Sequence, residues 1–471
     1  MNPSIPATAN LGQLRKRAKE LLRAHRSGAP EALDRVKSVH PRPSDPLKLT
    51  EAQLVLAREL GFPSWPKLQA YVRRVEAHGP DLQHAYHSDV DYYAERAYGL
   101  LASAEDGTAD AVAAFARWRQ PLTRQGARTV VAREHGFDSW RALRKHVGNL
   151  AGSGEPFARA YRAVEARDLD GLANLVDRFP ELVRARGTNG NDLLGMAGAT
   201  CDERLSRVLL DRGADPASAN AHGWTPLHQA AYSDLPLLAE LLLEAGAPAD
   251  VPARGDGGTP LIAALFWGHR KTAELLAGHG LAPGNLRVAA GLGRLDLLDE
   301  LLHPDGTLSA EAGAHREFYR PHSGFPFWRP SPDPAEIRDE ALAWAARNDR
   351  VDALRVLVER GARVDADVYR GTALTWAAFC GRVRAVRALL TLGADPDRRG
   401  TFGGPDHGQG VTALHLAAQN GHLDVLTTLL DAGADPTISD ESHDGLAEDW
   451  ADFGEHPEAA ELLRTHRLSS T

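Results

Sequence analysis

The sequence predicts an all-α protein in which a solenoid of short stacked helices follows a smaller, duplicated helical region. Two observations predict this class. A two-helix segment recurs with variation over residues 157–464, and repeats of this kind stack into one continuous core. Residues 11–147 contain a different helical pattern that occurs twice. At 471 residues the chain is too long for a single compact core, a limit that a stacked array avoids.

The repeat unit is clearest from Gly410 to Pro436. Thr412 is suited to cap the first helix, because its hydroxyl can accept a hydrogen bond from the free amides of the first turn. Gly421 separates this helix from a second one, whose leucines and valines have helical spacing. Gly433 then ends the second helix. Two short helices cannot bury this many leucines alone, so each unit must stack on its neighbours.

The Thr-Pro-Leu-His start and the Gly-Ala-Asp-Pro ending of these units resemble the ankyrin repeat of the bacterial type. Strong copies begin at Gly223, Gly371 and Gly410, weaker ones near Asn189 and Gly257, and degenerate ones at Asn285 and Asp339. Residues 157–187 and 445–464 have the character of terminal caps. The residues that match the structural motif are Thr225, Pro226, His228, Thr259, Pro260, Thr372, Thr412 and His415. The resemblance implies that His228 and His415 tie adjacent repeats by hydrogen bonds to the backbone.

The amino-terminal region carries its own duplication. Ala57–Leu68 is echoed by Ala132–Leu143, and both contain Gly-Phe-x-Ser-Trp-x-x-Leu. The serine of each copy, Ser64 or Ser139, is expected to cap a helix. The predicted organisation is a disordered amino terminus (1–10), a duplicated region (11–148, with copies at about 11–76 and 94–147), a linker (149–156), the solenoid (157–464) and a tail (465–471).

A second interpretation of the amino-terminal region is nucleic-acid binding. The spacing of Gln53, Ala57 and Gly61 is similar to that of a helix-turn-helix motif. Residues 1–150 hold 23 lysines and arginines against 16 acidic residues, whereas the remainder is strongly acidic. However, Trp65 and Pro66 stand where the polar readers of base edges would be expected. Structural helical hairpins are therefore favoured over a DNA-associated regulator.

Composition indicates where the protein works. There are two distant cysteines, 47 arginines against seven lysines, no basic-then-apolar signal segment and no apolar run long enough to span a membrane. These features predict a cytoplasmic bacterial protein without a membrane-bound part.

Two enlarged loops, at residues 303–335 and 398–410, depart from the repeat pattern. In ankyrin-like units such connections form finger loops that line the concave side. Aromatic and arginine side chains on ordered loops are typical of protein-binding hot spots. The candidate contacts are Arg316, Phe318, Tyr319, Arg320, Phe325, Phe327, Trp328, Arg329, Phe402 and His407. The alternative is that the longer loop folds down and fills a gap left by the degenerate repeats.

The sequence predicts no catalytic residue, metal site or cofactor. His315, Glu317, Tyr319, His322, Asp406 and His407 offer acid–base or ligand chemistry, but their spacing matches no known metal motif. An atypical enzyme with a pocket near residues 315–328 and 403–409 remains the least favoured interpretation. The leading hypothesis is an adaptor or regulatory scaffold that holds a protein partner of unknown identity, through the groove and the enlarged loops.

Overall fold

The computed structural model describes residues 10–253, 258–280, 282, 284–317, 319, 328–402 and 408–469. Over these residues the protein is almost entirely helical, so the predicted all-α class is confirmed. Its four short strands are β1 (Gln83–His84), β2 (Arg186–Gly187), β3 (Gly400–Thr401) and β4 (Gln409–Val411). In this part of the chain, no helix is both long and apolar enough to cross a membrane.

The chain divides into two compact units. Unit 1 comprises Met1–Gln229 and Leu241–Ala247, and unit 2 comprises Ala230–Glu240 and Pro248–Thr471. The division therefore lies inside the repeat array and not at residues 149–156. Two helices, α13 (Pro226–Tyr232) and α14 (Pro236–Glu244), include residues of both units.

The remaining helices of unit 1 form two four-helix copies followed by two helical hairpins. Their bounds are α1 (Leu11–Arg26), α2 (Pro30–Val39), α3 (Leu49–Glu59), α4 (Trp65–His78), α5 (Val90–Glu105), α6 (Ala109–Arg117), α7 (Arg124–Glu134), α8 (Trp140–Val147), α9 (Pro156–Glu165), α10 (Leu169–Arg178), α11 (Leu193–Gly198) and α12 (Glu203–Leu210). Ser139 caps α8 by accepting a hydrogen bond from the amide of Ala142 at 3.3 Å. Ser64 occupies the same place before α4, but its side chain makes no capping hydrogen bond.

Within unit 1 the amino-terminal helices pack directly against the first repeats. Strand β1 pairs in parallel with β2, which joins residue 83 to residue 186 of the chain. The buried Asn189 donates from its side-chain amide to the carbonyl of Arg96 at 2.9 Å. Nε2 of the buried His135 lies 3.0 Å from the hydroxyl of Thr188. These contacts make the duplicated region part of the same core as the repeats that follow it.

The predicted linker at residues 149–156 is an ordered, packed segment of unit 1. It contains a 3₁₀ turn at Leu150–Gly152, and Leu150 is fully buried. The carboxylate of Glu155 accepts a hydrogen bond from the Arg74 guanidinium and lies 3.5 Å from the His146 ring. Glycine and proline content marks this segment as a linker from local preference alone, and such content does not predict these distant contacts.

Unit 2 is a row of helical hairpins. Its helices are α15 (Pro260–Trp267), α16 (Arg270–Gly278), α17 (Leu286–Leu292), α18 (Leu295–Leu301), α19 (Pro334–Arg347), α20 (Val351–Glu359), α21 (Ala373–Phe379), α22 (Val383–Thr391), α23 (Ala413–Gln419), α24 (Leu423–Asp431), α25 (Ala447–Phe453) and α26 (Pro457–Ser469). The first helices of successive hairpins stack on one another, as do the second helices from α18 onwards. Alanines in the first helices allow this close approach, and one leucine-rich core runs from Leu286 to Leu463.

Candidate functional site

Threonine caps organise the first helices of the repeats. Thr259 accepts a hydrogen bond from the amide of Ile262, and Thr372 accepts one from the amide of Thr375 at 3.2 Å. Pro226 and Pro260 are the first residues of their helices, where a missing N–H leaves no hydrogen bond unmade. These caps fix where each first helix begins, and so where the loop before it ends.

The histidine of the repeat motif links two neighbouring repeats of unit 2. Nδ1 of His415 accepts from the amide of Thr412 at 3.1 Å, and its Nε2 lies 3.2 Å from the carbonyl of Gly445 in the next repeat. Burial lowers the pKa of His415, so the ring is neutral at pH 7. In unit 1, Nδ1 of His228 lies 3.2 Å from the amide nitrogen of Thr225. Both histidines are therefore parts of the repeat framework.

The longer loop is anchored at its carboxyl end by Arg316. Its guanidinium donates to the carbonyl of Ser331 at 2.8 Å and to Glu336 at 3.1 Å. It also donates to the buried carboxylate of Glu340, which belongs to α19. These bonds hold residues 316 and 331 of the loop against α19.

Arg287 of α17 anchors the same loop from beneath. It donates to Glu340 at 3.0 Å and to the carbonyl of Glu317 at 3.0 Å. Arg287 and His415 occupy the same position in their repeats. Arg287 lies eight residues before Leu295, the first residue of α18, and His415 lies eight residues before Leu423, the first residue of α24. At this position a histidine bonds to the next repeat, whereas Arg287 bonds both to α19 of the next repeat and to the inserted loop.

Aromatic side chains join the two enlarged loops in one cluster. Tyr319 of the longer loop packs on Phe266 with ring centroids 5.3 Å apart, and its hydroxyl lies 3.3 Å from Nε1 of Trp267. Phe402 of the shorter loop lies 4.7 Å from the Trp376 ring. Phe266 and Trp376 are themselves 5.2 Å apart, so the rings form a continuous row.

A buried guanidinium lies inside this row. The central carbon of the Arg347 guanidinium is 3.5 Å from the ring centroid of Trp376 and 4.3 Å from that of Phe266. The side chain is only 3% exposed, and burial lowers its pKa to about 9. It still carries its charge at pH 7, and cation–π attraction to the two rings offsets part of the desolvation.

Beside this cluster, unit 2 has an open groove with a volume of about 330 Å³. Its lining residues are Tyr232, Trp267, His269, Phe379, Cys380 and Arg382. We call this surface the aromatic groove. Tyr232 is 42% exposed and meets the Trp267 ring edge-on at 5.7 Å. Arg382 donates to the carbonyls of Arg347 and Gly268 and so forms one wall of the groove.

The structure corrects the interpretation of three predicted contact residues. Arg316, Tyr319 and Phe402 are buried, so their side chains hold the loops in place and do not face a partner. Trp328 is half-buried and stacks on Tyr369 at 5.3 Å, while Arg329 is exposed. Five further candidates lie outside the described residues, namely Phe318, Arg320, Phe325, Phe327 and His407.

The residues considered for catalysis do not form an enclosed site in the described part of the chain. His315 and Glu317 are 4.0 Å apart, and their side chains are 75% and 49% exposed. His322, Asp406 and His407 are outside the described residues. Among the residues that the structure describes, no cluster of His, Cys, Asp or Glu has the geometry of a metal site.

Two adjacent arginines on α4 bear on the helix-turn-helix interpretation. Arg74 is largely buried against Glu155, whereas Arg73 is exposed on α4. The helix begins with Trp65 and Pro66, as the sequence indicates. Nothing in this geometry presents a row of polar side chains at the start of α4.

Sequence reasoning did not select the charged residues at the centre of the cluster, Arg287, Glu340 and Arg347. A signal was available for Arg347. It stands three residues before Arg350, and the corresponding places before His269 and Arg382 hold Phe266 and Phe379. A charged residue at a position that is aromatic in those two repeats indicates a special environment.

The fold and the cluster together define a helical-repeat protein of the kind used for recognition. Residues 194–286 and 286–400 match the family model for ankyrin repeats in three copies, and residues 409–441 match the model for a single ankyrin repeat. The chain belongs to the ankyrin-repeat family. Ankyrin repeats are generally protein–protein interaction modules, and the family is typically non-enzymatic. No curated protein matches the sequence.

Proposed function

We propose that the protein is a cytoplasmic adaptor or regulatory scaffold that binds a protein partner through the aromatic groove of unit 2. The observation that carries this proposal is the groove itself, where Tyr232, Trp267 and Phe379 present apolar surface beside Arg382. Exposed aromatic side chains next to arginine are the groups that dominate protein-binding energies. Trp328 and Arg329 of the longer loop remain the proposed additional contacts.

The expected ligand is a segment of a partner protein that carries an apolar side chain beside an acidic one. The apolar side chain would fill the space between Tyr232 and Phe379. In the described residues no carboxylate forms an ion pair with Arg382, whose hydrogen bonds go to backbone carbonyls. An acidic group on the partner would complement that charge at the edge of the groove.

The test compares two exposed apolar residues of unit 2. Tyr232→Glu places a charge in the groove, whereas Leu237→Glu changes a residue on α14 that is 65% exposed and outside the groove lining. The wild type and both variants are used to capture proteins from native lysate. Mass spectrometry then identifies the proteins that the wild type and the Leu237 variant capture and the Tyr232 variant does not. The purified partner is then titrated calorimetrically. If all three chains capture the same proteins, the groove is not the binding surface.

A further inference from the structure

We propose that unit 2 contains a binding site for a carboxylate group, in the small cavity beside Arg347. The cavity has a volume of about 20 Å³, somewhat more than the roughly 10–15 Å³ that one water molecule needs, so only a small charged group can enter it. Its lining includes Phe266, Trp328, Trp344, Arg347 and Tyr369. The site is separate from the aromatic groove, and the inference does not depend on the proposed protein-binding function.

The first argument is that Arg347 is buried with an incomplete set of partners. Its Nη1 donates to the carbonyl of Phe266 at 3.2 Å, whereas its buried Nε has no hydrogen-bond partner among the described residues. Within that part of the chain, no carboxylate is at ion-pair distance from it. A buried cation normally has an acidic partner, because leaving it unpaired is expensive. The protein therefore holds a positive charge ready for an incoming anion.

The second argument is the charge balance around the cavity. Glu340 faces the cavity, but its two oxygens are taken by Arg287 and Arg316. Arg316 also pairs with Glu336. Three guanidinium groups therefore stand against two carboxylates, which leaves one net positive charge at Arg347.

The third argument excludes a cationic ligand. Aromatic walls beside a carboxylate would suit a quaternary ammonium group if the ring faces were open. Here Arg287 lies over the Trp344 ring at 4.8 Å, and Arg347 lies over Phe266 and Trp376. The protein's own guanidinium groups already cover these faces and would repel a second cation.

Size selects a carboxylate over a larger anion. A carboxylate is small and planar and matches the fork of a guanidinium. A phosphate group is tetrahedral and needs more donors than this cavity offers.

Gly371 keeps this space open. It lines the cavity with a φ of +143°, and a Cβ at this position would lie 2.7 Å from the hydroxyl oxygen of Thr375 and 3.1 Å from Nε1 of Trp376. A methyl group there would therefore displace the indole or occupy the ligand's place. Gly371→Ala thus tests the cavity without removing the charge of Arg347.

The experiment uses the full chain and sodium acetate, with sodium chloride at equal ionic strength as the reference. Calorimetric titration is expected to show saturable acetate binding with a dissociation constant of about a millimolar, since so small a ligand makes few contacts. Thermal unfolding should show a matching rise in Tm. Arg347→Met and Gly371→Ala should each weaken binding by at least about tenfold. Arg384→Met, which changes an arginine that is 71% exposed, should bind as the wild type does.

Two comparisons identify the source of the carboxylate and the sign of the charge that binds. A blocked Gly-Asp-Gly peptide is compared with Gly-Asn-Gly, and binding of the aspartate peptide would indicate that a protein side chain can reach the site. Acetate is compared with tetramethylammonium. The proposal is supported if the wild type binds acetate or the aspartate peptide and both cavity variants, Arg347→Met and Gly371→Ala, bind it more weakly. Binding of tetramethylammonium instead, no saturable binding of either carboxylate, or equal binding by the cavity variants would overturn it.

A last control concerns carboxylates of the chain itself. Asp256 and Asp406 lie outside the described residues. If acetate binds only after both are changed to asparagine, the chain fills its own cavity and the proposal is wrong.

Discussion

At the scale of single residues, buried polar side chains set the contacts between repeats. His415 joins Thr412 to Gly445, and Arg287 joins α17 to the inserted loop. The charged guanidinium of Arg347 packs against the aromatic rings of the cluster. His415 and Arg287 stand at the same place in their repeats and bond to the chain that follows, whereas Arg347 bonds back to the carbonyl of Phe266. At that shared place a histidine joins a repeat to its neighbour, and an arginine joins it to both its neighbour and an insertion.

The first prediction concerns His415. His415→Ala leaves the buried amide of Thr412 and the carbonyl of Gly445 without these partners, and each lost bond costs about 1–3 kcal/mol. The urea midpoint, followed by the fluorescence of the neighbouring Trp450, should fall accordingly. His443→Ala, an exposed histidine in the next loop, is the control and should leave the midpoint unchanged. Identical midpoints for both variants would contradict the linking role.

The second prediction concerns the pH dependence of unit 1. Glu134 is buried, and desolvation raises its pKa to about 7, against an opposing effect of Arg117. Since the folded state keeps a proton that the unfolded state loses near pH 4.5, this residue's contribution to stability falls as the pH rises from about 4.5 to 7. Glu134→Gln removes the effect and should stabilise the protein at pH 8 by up to about 3 kcal/mol, with little change at pH 4.

The measurement is the difference in urea unfolding free energy between wild type and variant at several pH values. Asp138→Asn, at an exposed position after α7, is the matched control. A difference that does not vary with pH would show that Glu134 is ionised in the folded protein.

At the scale of elements, some residues of the two enlarged loops that the sequence predicts to contact a partner are buried in the structure. Helix positions follow from caps and local spacing, and these were predictable. Arg316 and Tyr319 carry the residue types of a binding hot spot, yet they are buried. Aromatic rings and arginines serve cores and interfaces equally well, and only contacts with distant residues such as Glu340 and Phe266 decide between the two.

The third prediction tests how the longer loop is held. Glu340→Gln removes the charge that pairs with both Arg287 and Arg316, which leaves two buried guanidinium groups without it. Loss of one member of a buried ionic network typically costs about 3–5 kcal/mol. The denaturation midpoint of unit 2 should fall, while Glu359→Gln, at an exposed position on α20, should have no effect. A midpoint unchanged in both variants would mean that the ionic network does not secure the loop.

At the scale of the whole molecule, the division into parts could not be predicted from composition. Glycine and proline mark residues 149–156 as a boundary, but that segment is packed, and the division of the chain into two compact units lies inside the repeat array. The reason is that unit 1 is joined by contacts between residues far apart in sequence. Strand β1 pairs with β2, and His135 contacts Thr188. The duplicated region and the first repeats therefore share one core.

The fourth prediction follows from that shared core. A fragment ending at residue 150 retains α1–α8 but lacks β2, Thr188 and Glu155, so the buried His135 and Arg74 lose the partners they have in unit 1. A fragment ending at residue 247 keeps all of them. We expect the shorter fragment to melt at a lower temperature and less cooperatively, because unpaired buried polar groups destabilise the folded state. Trp65, Trp118 and Trp140 are present in both fragments. Trp224 is present in the longer fragment alone and is replaced by phenylalanine, so that tryptophan fluorescence compares the same helices. Equal melting temperatures would show instead that the duplicated region folds by itself, and that its contacts with the repeats contribute little to its stability.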